Sequence, residues 1–152
     1  TGKVAHDDTS VRGDSILWLE SDGRDDSVTQ CLAAFEHLRL AVNEQLFLNV
    51  HDVECHFAVY PPGTGYQRHL DQFAGGDQRR QLSMVLYLNP DWQAAHGGAL
   101  RLHLDGDASG EDLDVFPAAG RLVLFESSRY WHQVLPATRQ RLSITGWFRT
   151  RS

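Results

Sequence analysis

Cysteine is scarce in this chain, with only Cys31 and Cys55 in 152 residues. Two thiols cannot staple a disulfide scaffold, and they suit a reducing compartment such as the cytoplasm. They form no C-x-x-C pair, which argues against a thiolate zinc site. No run of about 18 or more apolar residues occurs, so no membrane-spanning helix is expected. The start, Thr1-Gly2-Lys3-Val4, has neither an apolar signal core nor an initiator Met, so an N-terminal segment is expected to precede it. An excess of positive charge is missing too. The net charge is −6, which disfavours direct binding to nucleic acid, because gripping phosphates takes a basic surface. There is no internal repeat and no low-complexity linker.

What is present is ordinary for a globular chain, 41% hydrophobic and 22% charged. The length implies one domain, residues 1–152, with residues 1–10 loose. Ser15-Ile16-Leu17-Trp18-Leu19 reads as a strand. Asp22 to Asp26 forms a turn, with Asp26 or Ser27 as the cap of a following helix. Val28, Cys31, Leu32, Phe35, Leu38, Val42 and Leu46 recur at three- and four-residue steps, which is one apolar stripe on a helix over about 28–46. Short strand-like runs follow: Val53 to Tyr60, Gln81 to Leu88, Ala99 to Leu104, Arg121 to Phe125 and Arg139 to Phe148. Asn89-Pro90, Gly97-Gly98 and Asp105-Gly106 punctuate them. The pattern predicts an α+β, mostly β fold: a double-stranded β-helix (jelly roll) with helices packed on one sheet. The acidic run Glu111-Asp112-Leu113-Asp114 reads as a solvated loop. Trp18, Trp92 and Trp131 read as core or surface aromatics, Cys31 as buried and inert, and Cys55 as core or cleft.

Chemistry enters with His69-Leu70-Asp71. On a strand, residues i and i+2 point to one face, so His69 and Asp71 can reach one metal ion while Leu70 faces away. The motif alone is common by chance and needs a third ligand. His6, His37, His51, His56, His96, His103 and His132 are the candidates. His132 stands apart because it follows an apolar strand and a polar turn. Two His and one carboxylate form the facial triad of non-haem Fe(II) oxygenases, which leaves three metal positions open. A second signal is Arg141 to Phe148. Alternation puts Arg141, Ser143, Thr145 and Trp147 on one face and Leu142, Ile144 and Phe148 on the other. A buried Arg141 requires a carboxylate partner, because an isolated buried charge costs several kcal/mol. Either a protein Asp or Glu or a dicarboxylate ligand meets that need, and the planar guanidinium suits both.

His69-x-Asp71, then His132, then Arg141 nine residues later, resembles the pattern of 2-oxoglutarate oxygenases. The flanking stretches are more specific. Tyr60-Pro61-Pro62-Gly63-Thr64-Gly65-Tyr66-Gln67-Arg68-His69, Leu86-Tyr87-Leu88-Asn89-Pro90-Asp91-Trp92 and Gly97-Gly98-Ala99-Leu100-Arg101 closely resemble the hypoxia-inducible-factor prolyl hydroxylases. Val11-Arg12-Gly13-Asp14 resembles that family's segment at the mouth of the site. The likeness covers about residues 11–149. It departs in a longer stretch between Asp71 and Tyr87 than in the animal enzymes, in Pro61-Pro62 before Gly63, and in the absence of an evident N-terminal helix.

The resemblance implies roles. His69, Asp71 and His132 would bind Fe(II). Arg141 would pair with the distal carboxylate of 2-oxoglutarate, helped by Tyr87, with Tyr60, Thr145 and Trp147 around the same cosubstrate. Arg12, Asp14, Tyr66, Arg80 and Trp147 would surround a peptide, Arg80 being preferred to Arg79 from its spacing to Tyr87. O₂ is the co-reactant and ascorbate the accompanying reductant. The implied activity is 4-hydroxylation of a prolyl residue in a protein, with oxygen sensing as a role of the family. Bacterial relatives act on elongation factor Tu, which makes that protein the expected partner of a bacterial chain. No nucleic-acid or membrane partner is expected. The rival readings are an oxygenase of free proline or another small molecule, a non-catalytic jelly-roll binding module, and a cupin-like isomerase or zinc hydrolase. A nucleic-acid demethylase of this superfamily would carry a second Arg where Trp147 stands.

Overall fold

The computed structural model describes residues 4–5 by their backbone, and residues 11–105 and 110–151 in full. The expected loose segment 1–10 (Val4–Ala5 apart), the candidate ligand His6 and the glycine of the Asp105-Gly106 turn lie outside the described residues. Ten strands are present among those described: β1 (Val4–Ala5), β2 (Ser15–Trp18), β3 (Asp52–Tyr60), β4 (Tyr66–His69), β5 (Arg80–Tyr87), β6 (Leu100–His103), β7 (Asp112–Val115), β8 (Leu122–Glu126), β9 (Trp131–Val134) and β10 (Arg141–Arg149). One sheet has the order β1-β2-β3-β10-β5-β8 and the other β4-β9-β6-β7. From β3 onward the chain passes between the two sheets almost strand by strand, which is the winding of a jelly roll.

Alternation along the larger sheet sorts its residues onto two faces. The outer face carries Cys55, Leu82, Met84, Ile144 and Phe148, and it packs on the helix α1 (Asp26–Leu46) through Phe35 and Val42. Phe148 and Met84 are fully buried there. Burying each such side chain is worth about 1.5–3 kcal/mol, so this layer is the main source of stability. The inner face meets the smaller sheet through Val85, Tyr87, Leu100, Leu102 and Phe125. A third cluster, Ile16, Ala58 and Tyr60 with Tyr66 and Val134, closes the other end of the space between the sheets. No helix among the described residues is long and apolar enough to cross a membrane.

The helical layer is a single α-helix among the described residues, with a short 3-10 turn at Ala94–His96. The helix begins two residues earlier than its apolar stripe. The cap is Asp25, not Asp26 or Ser27: its carboxylate accepts from Ser27 N (2.8 Å) and Val28 N (3.2 Å). Leu46 at the other end is 54% exposed and leaves the stripe. The helix stops at Phe47, which is left-handed at φ 55° and returns its N–H to Asn43. Cys31 is only half-buried, and Cys55 belongs to the core.

The acidic run is solvated, as expected, but it is not a loop. Asp112–Val115 is the edge strand β7, set against β6 so that Asp114 faces Arg101 and Asp112 faces His103. Arg101 Nε donates to Asp114 at 2.8 Å, and His103 Nδ1 lies 2.7 Å from Asp112. The Arg101–Asp114 ion pair and the His103–Asp112 hydrogen bond, both in register, tie this edge strand to its neighbour.

Candidate metal and cosubstrate site

His69 and Asp71 converge, but not as an i, i+2 pair on a regular strand. β4 ends at His69, its register against β9 is broken between Tyr66 and His69, and Asp71 lies in a bend beyond it. Across the ladder His69 faces His132 on β9. Asp71 Oδ1 is 3.3 Å from His69 Nε2 and 3.4 Å from His132 Nε2, and the three donor atoms lie within 4.8 Å of one another.

The hydrogen bonds behind the imidazoles fix their tautomers. His69 Nδ1 is 2.7 Å from the Gln67 carbonyl, and His132 Nδ1 is 2.9 Å from the Tyr130 carbonyl. A carbonyl only accepts, so each Nδ1 carries a proton, and Nε2 is the nitrogen that each ring turns towards Asp71. Two imidazole Nε2 atoms and a carboxylate oxygen therefore meet in a buried place. Only a cation, or added protons, makes that favourable. Burial opposes charge on Asp71, yet His132 and His69 outweigh it and hold its carboxyl well below the usual range. Burial likewise opposes charge on His132, but Asp71 and the Tyr130 carbonyl raise its pKa. Two imidazoles and one carboxylate are the donor set of non-haem Fe(II), so the residues fit that metal. The Tyr66 ring stacks on His69 at 3.9 Å between centroids and shields the more exposed of the two histidines.

Arg141 is 2% exposed. Its Nε donates to the Gly98 carbonyl at 2.8 Å, its Nη2 lies a long 3.5 Å from the Tyr87 hydroxyl, and the guanidinium lies over the Tyr60 and Tyr87 rings at 5.3 and 5.1 Å. Gly98 sits at φ +72°, and a Cβ there would lie 2.9 Å from both Trp92 and Ala137, so only glycine brings that carbonyl to the guanidinium. No Asp or Glu among the described residues pairs with Arg141. Among the described residues the alternative of a protein carboxylate partner therefore fails, and the guanidinium faces the cavity with no anion opposite it. Burial pushes both neighbouring phenols, Tyr60 and Tyr87, up in pKa, so both stay protonated donors.

All twelve residues expected at the site line one cavity of about 460 Å³. Thr145 lies on its wall between Arg141 and Trp147, opposite His56 in the sheet register. At the mouth, Arg12 makes two 2.7 Å bonds to the buried Asp14 and lies over the Tyr66 ring at 4.8 Å. Arg80 stacks on Trp147 at 3.7 Å and bonds Glu54 at 3.0 Å. Arg79 turns instead to Asp77 and does not line the cavity. Of the other histidine candidates among the described residues, only His56 lines it.

Several residues in or behind the cavity wall escaped the sequence. Trp18 and Trp131 are wall aromatics, not simple core or surface residues. His56 is 2% exposed, and its Nδ1, like Trp147 Nε1, is buried without a hydrogen-bond partner. Its place could have been read from β3 alternation with Ala58 and Tyr60. Ser83, which bonds Asp71 at 2.6 Å, shares the inner face of β5 with Tyr87. Ser127, which bonds Ser83, carried no comparable signal.

Comparison with known proteins places this geometry. A family model described as the 2OG-Fe(II) oxygenase superfamily matches residues 55–149. Egl nine homolog 1 of Rattus norvegicus is 33% identical over 153 residues, covering 91% of this chain and 41% of that protein. The Homo sapiens protein of the same name is 34% identical over 146 residues, covering 91% and 33%. This chain thus spans about two-fifths or less of the length of these curated relatives. Among solved structures, a Pseudomonas putida prolyl-4-hydroxylase superposes with TM-score 0.86 at 52% identity, covering 94% of this chain and 75% of that one. A prolyl hydroxylase from Trichoplax adhaerens, solved with a hypoxia-inducible-factor oxygen degradation domain peptide fragment, gives TM-score 0.82 at 31% identity, covering 94% and 66%.

Proposed function

The chain belongs to the 2OG-Fe(II) oxygenase superfamily, and from that premise we propose that it hydroxylates a prolyl residue of a protein at the 4-position. The observation that carries the cosubstrate is Arg141: a fully enclosed guanidinium without a carboxylate, in the same cavity as the His69-Asp71-His132 cluster. A dicarboxylate that reaches from the metal to Arg141 answers that charge. A zinc hydrolase or an inert binding module has no use for it.

When bound, Fe(II) and 2-oxoglutarate supply the oxidising chemistry, in which O₂ is consumed, 2-oxoglutarate becomes succinate and CO₂, and a substrate C–H becomes C–OH. The chain's residues do the rest. His69, Asp71 and His132 hold the metal on one side. Arg141 and the Tyr87 hydroxyl hold the far carboxylate, and Tyr60 walls the cosubstrate with Thr145 and Trp147. Arg12, Asp14, Tyr66 and Arg80 flank the peptide at the mouth, and the apolar walls of Val85, Leu100 and Phe125 exclude water. No side chain is asked to act as a general acid or base.

The prolyl substrate is supported by the relatives' activities and by the arginine- and aromatic-rimmed mouth. Elongation factor Tu is the protein we would offer first, and a reducing cytoplasm suits the free thiols Cys31 and Cys55. The experiment is an anaerobic titration of metal-free protein with Fe(II) and then 2-oxoglutarate, following the weak visible charge-transfer band of the chelate. The band should be lost in His132→Ala and should require far more cosubstrate in Arg141→Ala. A folded, iron-loaded protein without the band would sink the proposal. The hydroxylation itself is read by mass as one added oxygen on a prolyl peptide of elongation factor Tu, with free proline as competitor; turnover of free proline alone would make it a small-molecule oxygenase.

A further inference from the structure

Asp71 stands beyond the last residue of β4, so no ladder fixes its carboxylate. We propose that Ser83 and Ser127 are positioning residues for the metal site, a two-hydroxyl relay that holds Asp71 as a one-oxygen ligand and ties the arms bearing Asp71 and His132 together. The inference rests on the metal reading of His69, Asp71 and His132.

The relay has a defined direction. Ser83 Oγ lies 2.6 Å from Asp71 Oδ2 and 2.9 Å from Ser127 Oγ. The carboxylate can only accept, so the single Ser83 proton goes to Asp71. The proton in the second contact must then come from Ser127. Ser127 donates to Ser83, and Ser83 donates to Asp71, each bond polarising the next. Both serines are fully buried, so bulk water cannot replace a missing hydroxyl. Oδ2 is occupied by this bond, and Oδ1 is left to face the two imidazoles. Asp71 therefore offers the metal one oxygen, and more of the coordination sphere remains for the cosubstrate.

The backbone of Ser127 extends the tie. Its carbonyl accepts from Gln72 N at 3.0 Å, directly after Asp71, and its own N–H donates to the Gln81 carbonyl at 3.0 Å. Ser127 also opens the turn that leads into β9 and His132. One residue thus joins the Asp71 bend, β5 and the approach to His132. Partners of this kind typically change metal affinity tenfold to a hundredfold.

The test titrates metal-free full chain with Co(II) alone, following its visible absorption, in wild type, Ser83→Ala, Ser127→Ala, the double variant and Asp71→Ala. Ser83→Ala should bind Co(II) about ten- to a hundredfold more weakly, with an altered absorption envelope, and Ser127→Ala less so. The double variant should match Ser83→Ala, because Ser127 acts through Ser83. Ser83→Thr, which keeps the hydroxyl, should recover most of the affinity. Additive losses, or Ser83→Ala with wild-type affinity while Asp71→Ala loses it, would overturn the relay and leave the metal site standing. Retained binding in Asp71→Ala would overturn the metal reading and the relay with it. If Ser83→Ala does not fold, Ser127→Ala decides: an unchanged affinity and envelope overturn the relay.

Discussion

Strand β10 has two faces, buried to a similar degree and built from opposite chemistry. Outward it presents Ile144 and Phe148 to the layer capped by the helix, with Leu142 on the same face; inward it presents Arg141, Ser143, Thr145 and Trp147 to the cavity. Phe148 is fully buried and Arg141 is 2% exposed. Burial therefore does not distinguish the faces, whereas satisfaction does. The outer face is closed against matching apolar groups. The inner face encloses a guanidinium without a carboxylate and an indole N–H without an acceptor. Buried polar groups left incomplete cost free energy, and a fold keeps that cost where a ligand completes them.

The comparison breaks first, and furthest, at Arg141. Arg141→Met should weaken 2-oxoglutarate binding by about 3–5 kcal/mol, roughly a hundred- to a thousandfold or more, because the cosubstrate carboxylate would be buried without its partner. The same change should cost the metal- and cosubstrate-free protein far less, since it removes a buried charge that no carboxylate among the described residues answers. Urea unfolding with and without 2-oxoglutarate measures both halves. A large loss of stability in the ligand-free protein would show that the inner face is structural after all. Phe148→Ala is the mirror image. It should cost about 3–5 kcal/mol of stability, while the folded protein keeps its 2-oxoglutarate affinity. A matched fall in affinity would mean that the two faces are not separable.

This division was visible in the sequence because alternation is local: residues 141–148 carry it without reference to any partner. The helix stripe and the larger strands were legible for the same reason. What escaped depended on contacts far along the chain. Asp112–Val115 alternates over only four residues inside an acidic run, and it is held as a strand by the Arg101–Asp114 ion pair and the His103–Asp112 hydrogen bond across the ladder. Asp71 reaches the metal position from a bend held by Ser83 and Ser127, not from strand geometry. Asp25 caps the helix, one residue before the expected Asp26 or Ser27, because residue type does not choose among adjacent capping side chains and backbone angles do. Residue type located the candidate site, but tertiary pairing decided how its side chains were held.

The smallest expected effect concerns His56, opposite Thr145 on the inner face. Burial, then the nearby Arg12 charge, lowers its pKa from 6.5 to about 4, against a raising influence from Asp14. The imidazole is therefore neutral in the folded protein near pH 7. Above pH 6.5 neither folded nor unfolded His56 binds a proton, and it contributes no pH dependence. As pH falls from 6.5 towards about 4, the unfolded chain takes up a proton that the folded one refuses. Stability then falls by up to about 1.4 kcal/mol per pH unit from this residue alone. Below the folded pKa both states are protonated and the loss stops growing. His56→Phe should flatten the stability curve of the metal-free protein across that window and leave it unchanged between pH 7 and 8 apart from a constant offset. Urea unfolding of both proteins at half-unit pH steps gives the difference directly, which cancels the carboxylates and the other histidines common to both. Parallel curves would mean that His56 accepts a proton inside the fold, and the inner wall would then be open to water and charge where the structure shows it closed.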